Sequence, residues 1–262
     1  MYGLRNMSSK HEEVRHLLHV LTSKLETCYE PLNSQVISIS LYGLGSMSSR
    51  HQEVLPILKV LSEKIKNTDA SINSASLGSI YGLNAIHSDK AEVRHLVQVL
   101  SDKLHASMEE KFEPWQLASA LFGLQTMSAR PEEVRSLVRE LATRIEHNCE
   151  GLFSPHALDL ALRGIRAMSS DQQEVRSLIS ALAKKINIHS EYTTKDFVKI
   201  SSSLSMKSTE FIEVRELYQA YTDTVLLNTQ VSVHAPVYDF ASDHSSFFFF
   251  NTCNTSNLQW TI

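Results

Sequence analysis

Three cysteines in 262 residues, Cys28, Cys149 and Cys253, stand too far apart for any metal-ligand spacing. They read as scattered, reduced thiols of an intracellular protein. No apolar run approaches the roughly 20 residues that a membrane span requires, so no membrane partner is expected. Blocks of like charge are missing too, and a formal charge of −4 does not advertise a polyanion. Nor does it exclude one, because a polyanion is held by a local cationic surface. No glycine-rich loop follows a strand, and twelve histidines are scattered without zinc spacing. Catalytic constellations are therefore absent. The chain is read as a non-enzyme with no cofactor, no metal and no small-molecule substrate.

Glycine is scarce, which makes its placement informative. Of eight glycines, five fall at 3, 43, 82, 123 and 164, with spacings of 40, 39, 41 and 41 residues. Each belongs to a recurring stretch, Leu41-Tyr42-Gly43-Leu44-Gly45-Ser46-Met47-Ser48-Ser49 in its fullest form. A second mark keeps the same period: Glu-Val at Glu13-Val14, Glu53-Val54, Glu92-Val93, Glu133-Val134, Glu174-Val175 and Glu213-Val214. A fixed period of 20–50 residues is the signature of a repeat array.

Each repeat resolves into two helices. The second carries apolar residues at i, i+3, i+4, i+7 and i+11, as in Val134, Leu137, Val138, Leu141 and Ile145, which form one stripe. The first helix is expected over 34–47, 74–86, 115–127, 155–168 and 195–206. Ser9 with Glu12, Ser49 with Gln52 and Ser170 with Gln173 have the spacing of capping boxes for the second helix. Glycine within a helix costs about 1 kcal/mol against alanine, so its recurrence points to close approach of a neighbouring backbone. Pro56 predicts a kink or a late start in the second repeat, and the sixth repeat has lost the glycine. The fold class is all-α: an α-solenoid over residues 1–227, followed by a non-repeat tail, 228–262, expected to be disordered. Because Tyr2-Gly3-Leu4 falls late in a repeat, the sequence is expected to be a fragment or an incomplete gene reading.

Two sets of residues are candidates for function. Glu13 and Arg15, Glu92 and Arg94, Glu133 and Arg135, and Glu174 and Arg176 recur at the start of the second helix. They could form a structural ladder from repeat to repeat, or the arginines could join Lys24, Lys64, Lys103, Arg144 and Lys185 in a basic stripe for phosphates. On the first helix, the residue before the glycine is Tyr2, Tyr42, Tyr81, Phe122 or Arg163. The residue two after it is Arg5, Gly45, Asn84, Gln125 or Arg166. A recurring flat group beside a variable polar one suits base stacking and edge hydrogen bonding by single-stranded RNA. It equally suits aromatic packing between successive helices.

Hairpins of about 40 residues whose first helix ends in Leu-Tyr-Gly-Leu or Leu-Phe-Gly-Leu resemble the octotricopeptide repeats. They are also similar to repeats of FAST-kinase-like and RAP-domain organellar proteins. Glycine stands where that family usually has alanine, a Pro-Pro helix start is present only in part, at Pro114 and Pro155, and no RAP domain follows. The resemblance implies RNA binding in mitochondria or plastids, in processing, stability or translation of transcripts. Glu-Val-Arg opening a second helix also resembles HEAT repeats, which implies a protein–protein scaffold.

Overall fold

The computed structural model describes residues 2–187 and 193–231, with the side chains at 194, 197 and 226–231 outside that description. The described residues are all-helical; two isolated bridges, Phe112 with Cys149 and Phe153 with Ile186, are the only β pairing among them. The chain divides into Met1–Asn228 and Thr229–Ile262. The expected disorder of the tail concerns residues that, beyond 231, lie outside the described ones.

Eleven α-helices are described. The second helices of the successive repeats are α1 (Glu12–Glu26), α3 (Leu55–Lys66), α5 (Ala91–Ala106), α7 (Glu132–His147), α9 (Gln173–Ala183) and α11 (Ile212–Val231). The first helices are α2 (Ser34–Gly43), α4 (Ser74–Ser79), α6 (Pro114–Gly123), α8 (Pro155–Gly164) and α10 (Thr194–Leu204). Tyr2–Asn6 and Ile80–Leu83 add 3-10 turns at the corresponding ends of the first and third repeats. Each first helix packs on the next first helix, from α2 through α10, and each second helix from α1 through α9 does the same. The apolar stripes are buried between these rows: Val93, Leu96, Val97, Leu100 and Leu104 of α5 have almost no exposed surface, and the same positions in α7 and α9 behave alike. Burial of this kind, repeated per hairpin, is the main source of stability.

Two sequence expectations are corrected here. The first helices are shorter than periodicity suggests: α2, α6 and α8 each end at the glycine, and the chain continues in tight turns such as Leu44 N–H to Leu41 O and Met47 N–H to Leu44 O. Ser9, Ser49 and Ser170 do not cap the second helices; residues such as His11 and Gln172 stand at those N-caps, without a side-chain bond. These serines are buried, and each accepts a hydrogen bond from the next repeat. Ser48 N–H reaches Ser9 Oγ at 3.0 Å, His87 N–H reaches Ser49 Oγ at 2.8 Å, and Ser208 N–H reaches Ser170 Oγ at 3.1 Å. Ser88 receives Ser128 N–H in the same way, at 3.0 Å. In the fourth repeat the position is Ala129, and that bond is missing. Helix α11 runs to Val231, and the first compact unit ends at Asn228.

Pro56 acts by delaying its helix. A 3-10 turn occupies Gln52–Val54, and α3 starts at Leu55 with the proline in its first turn, where its missing N–H is harmless. Glycine provides close approach. A β-carbon on Gly82, Gly123 or Gly164 would fall 1.9, 2.1 or 2.2 Å from the carbonyl oxygen of Leu41, Ile80 or Leu121, two residues before the glycine position of the preceding repeat. Only a residue without a side chain allows successive first helices to meet there.

Candidate functional site

The two rows differ in charge. Helices α2, α4, α6 and α8 contain one carboxylate between them, Asp159, and it is buried. The second helices carry the acids, from Glu12 and Glu13 in α1 to Glu174 in α9. The basic residues of the second helices are mostly engaged with backbone. Lys64 Nζ donates to Cys28 O, Lys103 Nζ to Thr68 O, and Lys185 Nζ to Cys149 O, each at the end of the preceding second helix. Arg144, fully buried, donates to Met108 O at 3.1 Å and to Leu104 O at 2.5 Å. Burial pulls its pKa below the ordinary arginine value, and nearby Glu140 opposes that shift. Cations placed on carbonyls at a helix end neutralise the negative end of the macrodipole. Four of the five members of the basic stripe are thus committed to joining repeats, which leaves no phosphate-binding stripe on this row.

The recurring arginine is equally committed. Arg15 Nη1 donates to Ser9 O and Lys10 O, six and five residues back, and its Nε lies 3.1 Å from Glu53. Arg94, Arg135 and Arg176 repeat both contacts: each holds its own turn and faces the next repeat's glutamate, with Arg94–Glu133 at 3.6 Å, Arg135–Glu174 at 3.9 Å and Arg176–Glu213 at 3.7 Å. Arg139 adds a 2.8 Å contact to Glu174. Among the described residues Glu13 and Glu92 have no ion pair. For Glu92 the reason is plain, since Leu55 occupies the arginine position of the repeat before it.

The first-helix candidates gather on one surface. Tyr2 stacks on Tyr42 with ring centroids 6.3 Å apart, and Arg5 lies over Tyr42 at 4.7 Å. Tyr81 stacks on Phe122 at 5.1 Å, and Arg163 also lies over the Phe122 ring, at 5.1 Å. Rings that close leave no room for a base between them, so the open positions are the ring edges and the ends of each short column. Asn84 donates its amide to Tyr81 O at 2.8 Å and Gln125 donates to Asn84 O at 3.2 Å, which directs their nitrogens to backbone and leaves both amide oxygens free of internal bonds among the described residues. Arg166 is exposed and has no ion pair among the described residues. Arg163 is held by buried Asp159 at 3.1 Å. Exposed Val36, Ile39 and Trp115 lie on the same helices, and the Trp115 ring comes within 3.5 Å of a β-carbon built on Gly78.

One residue escaped the sequence reading. Met206, next to the expected core position of the sixth repeat, is exposed, and Lys207 is buried in its place. Its Nζ donates to Ile165 O at 2.6 Å and to Met168 O. Burial lowers its pKa to about 8.

Among the described residues no three metal-binding side chains cluster, and no helix is long and apolar enough to cross a membrane. Comparison with models of known protein families, with curated proteins and with solved structures finds no match.

Proposed function

We propose that the hairpins stack as an α-solenoid whose exposed row of first helices binds single-stranded RNA without catalysis. The observation that carries this reading is the charge segregation. In a chain of net charge −4, the surface bearing Tyr42, Tyr81 and Phe122 has no exposed carboxylate within α2, α4, α6 and α8, while Arg5, Arg163 and Arg166 border it. Half-exposed rings offer edges and faces to unpaired bases, and the free amide oxygens of Asn84 and Gln125 can accept from base amino groups. The resemblance to octotricopeptide-like repeats supports organellar transcripts as the RNA, in mitochondria or plastids, with a part in their processing, stability or translation.

Fluorescence anisotropy with pooled single-stranded RNA tests this. Three arginines imply roughly three phosphate contacts, hence a log–log salt slope of about −2. Replacing Arg5 and Arg166 together with alanine, which leaves Arg163 on buried Asp159, should weaken binding without changing thermal unfolding. No binding at low salt would overturn the proposal. A protein scaffold of HEAT-like type is the second reading, favoured by exposed Val36, Ile39 and Trp115, since aromatic and aliphatic surface without charge is typical of the centre of protein interfaces.

A further inference from the structure

The first-helix row changes character along the array. Positions eight, four and one before the glycine follow one another at i, i+4 and i+7, on one face of a helix. In the second, third and fourth repeats none of them is charged; they include Ile39 and Tyr42, Gly78 and Tyr81, and Trp115 and Phe122. In the fifth repeat they include His156 and Arg163, and Arg166 is exposed in the turn beyond. In the sixth, Lys207 stands at the methionine position, which sets Ser203 at the lost glycine. Lys195 and Lys199 are then eight and four residues before it, on the same face.

Helix α10 packs directly on α8, so the two lysines continue the surface that carries Arg163. Both are exposed, and neither has an ion pair or a side-chain hydrogen bond among the described residues. The carboxylates of these two helices are already bonded. Asp159 is buried and holds Arg163 at 3.1 Å. Asp196 feels the charge of Lys199, yet its carboxylate closes a capping box: it accepts from Thr193 N–H at 3.0 Å and from the Thr193 hydroxyl at 2.6 Å. The ring before the glycine is lost over the same span, where Arg163 and Ser202 replace it. Flat groups without charge therefore give way to cations without flat groups.

A single strand needs both kinds of surface, rings for its bases and cations for its phosphates. We propose that an RNA strand on this face sets its bases on the second to fourth repeats and its phosphodiester backbone on the fifth and sixth. Lys195 and Lys199 hold the backbone together with Arg163 and Arg166. This assignment rests on the RNA reading and adds two contact residues to it.

Three arginines alone give a log–log salt slope of about −2, and two further phosphate contacts steepen it to about −3.5. Fluorescence anisotropy of the full chain with pooled single-stranded RNA should find the steeper slope. Lys195→Gln with Lys199→Gln should return it to about −2, with unchanged thermal unfolding. Lys59→Gln with Lys66→Gln removes the same charge from exposed positions of α3, in the other row, and should leave the slope as it is. Tyr81→Leu should weaken binding by a similar factor at every salt concentration. A wild-type slope no steeper than about −2 overturns the assignment while the RNA reading stands. So does an unaltered slope in the Lys195 and Lys199 variant, or an equal loss in the Lys59 and Lys66 variant. No binding at low salt overturns both.

Discussion

The carbonyl oxygen of Leu41 lies 1.9 Å from the point that a β-carbon on Gly82 would occupy. Alanine normally improves a helix by about 1 kcal/mol over glycine. Here it must push one backbone off another, and Gly82→Ala or Gly123→Ala should lower stability by about 3 kcal/mol or more. Gly3→Ala should be neutral, since the space beside Gly3 is open. Urea unfolding of the three variants checks the contrast.

Ala129→Ser should stabilise the protein by about 1 kcal/mol. The position is buried, and in four other repeats a serine hydroxyl there accepts an N–H from the next repeat. The added hydroxyl would take the N–H of Ser169. A shift of the urea midpoint with unchanged slope is the expected result; destabilisation would show that the turn has closed over the missing bond.

Lys207 makes stability depend on pH in the alkaline range. Its pKa is about 8 when folded and near the ordinary 10.5 when unfolded. Between those values the unfolded chain holds more protons, so this residue's contribution to stability rises with pH, by at most about 3 kcal/mol. Lys207→Met restores the apolar residue of the other repeats. It should stabilise the protein at pH 7 and flatten the difference between pH 7 and pH 10 relative to wild type. Thermal unfolding at both values measures it.

Arg144 and Arg166 should separate folding from binding. Arg144→Met strips the donors from Met108 O and Leu104 O in a buried site and should cost about 2–4 kcal/mol. Arg166→Ala removes no ion pair of the described residues and should leave unfolding unchanged while weakening RNA binding several-fold. Parallel melting and anisotropy measurements distinguish the two.

The glycine period and the Glu-Val mark made the helical repeat legible, because backbone contact and core burial restrict which residues can stand at those positions. Polar partners were harder to read. Ser9 three residues before Glu12 has the spacing of a capping box, but its hydroxyl serves Ser48. Spacing within one hairpin carries no information about a neighbour some 40 residues on. The lysines of the second helices looked like surface charge for the same reason: their aliphatic stems let Lys64 and Lys103 reach backbone in the preceding repeat. Lys207 was missed because adjacent Met206 matched the expected residue type. The first-helix surface was legible as a set of positions, with aromatic packing between successive helices as one of its two readings, but not which rings pair, Tyr81 with Phe122 at a distance that leaves no gap for a base.

The arginine–glutamate pair is missing where Leu55 precedes Glu92, and the serine bond is missing where Ala129 precedes Ser169. These losses fall at different junctions. The second and third repeats keep the Ser49 bond to His87, and the fourth and fifth keep Arg135 and Arg139 on Glu174. Two independent fasteners per junction amount to redundancy: either can be lost to sequence drift without leaving a seam held by apolar contact alone. Removing Ser49 should therefore weaken the molecule more than removing Ser9, whose junction still has Arg15 on Glu53.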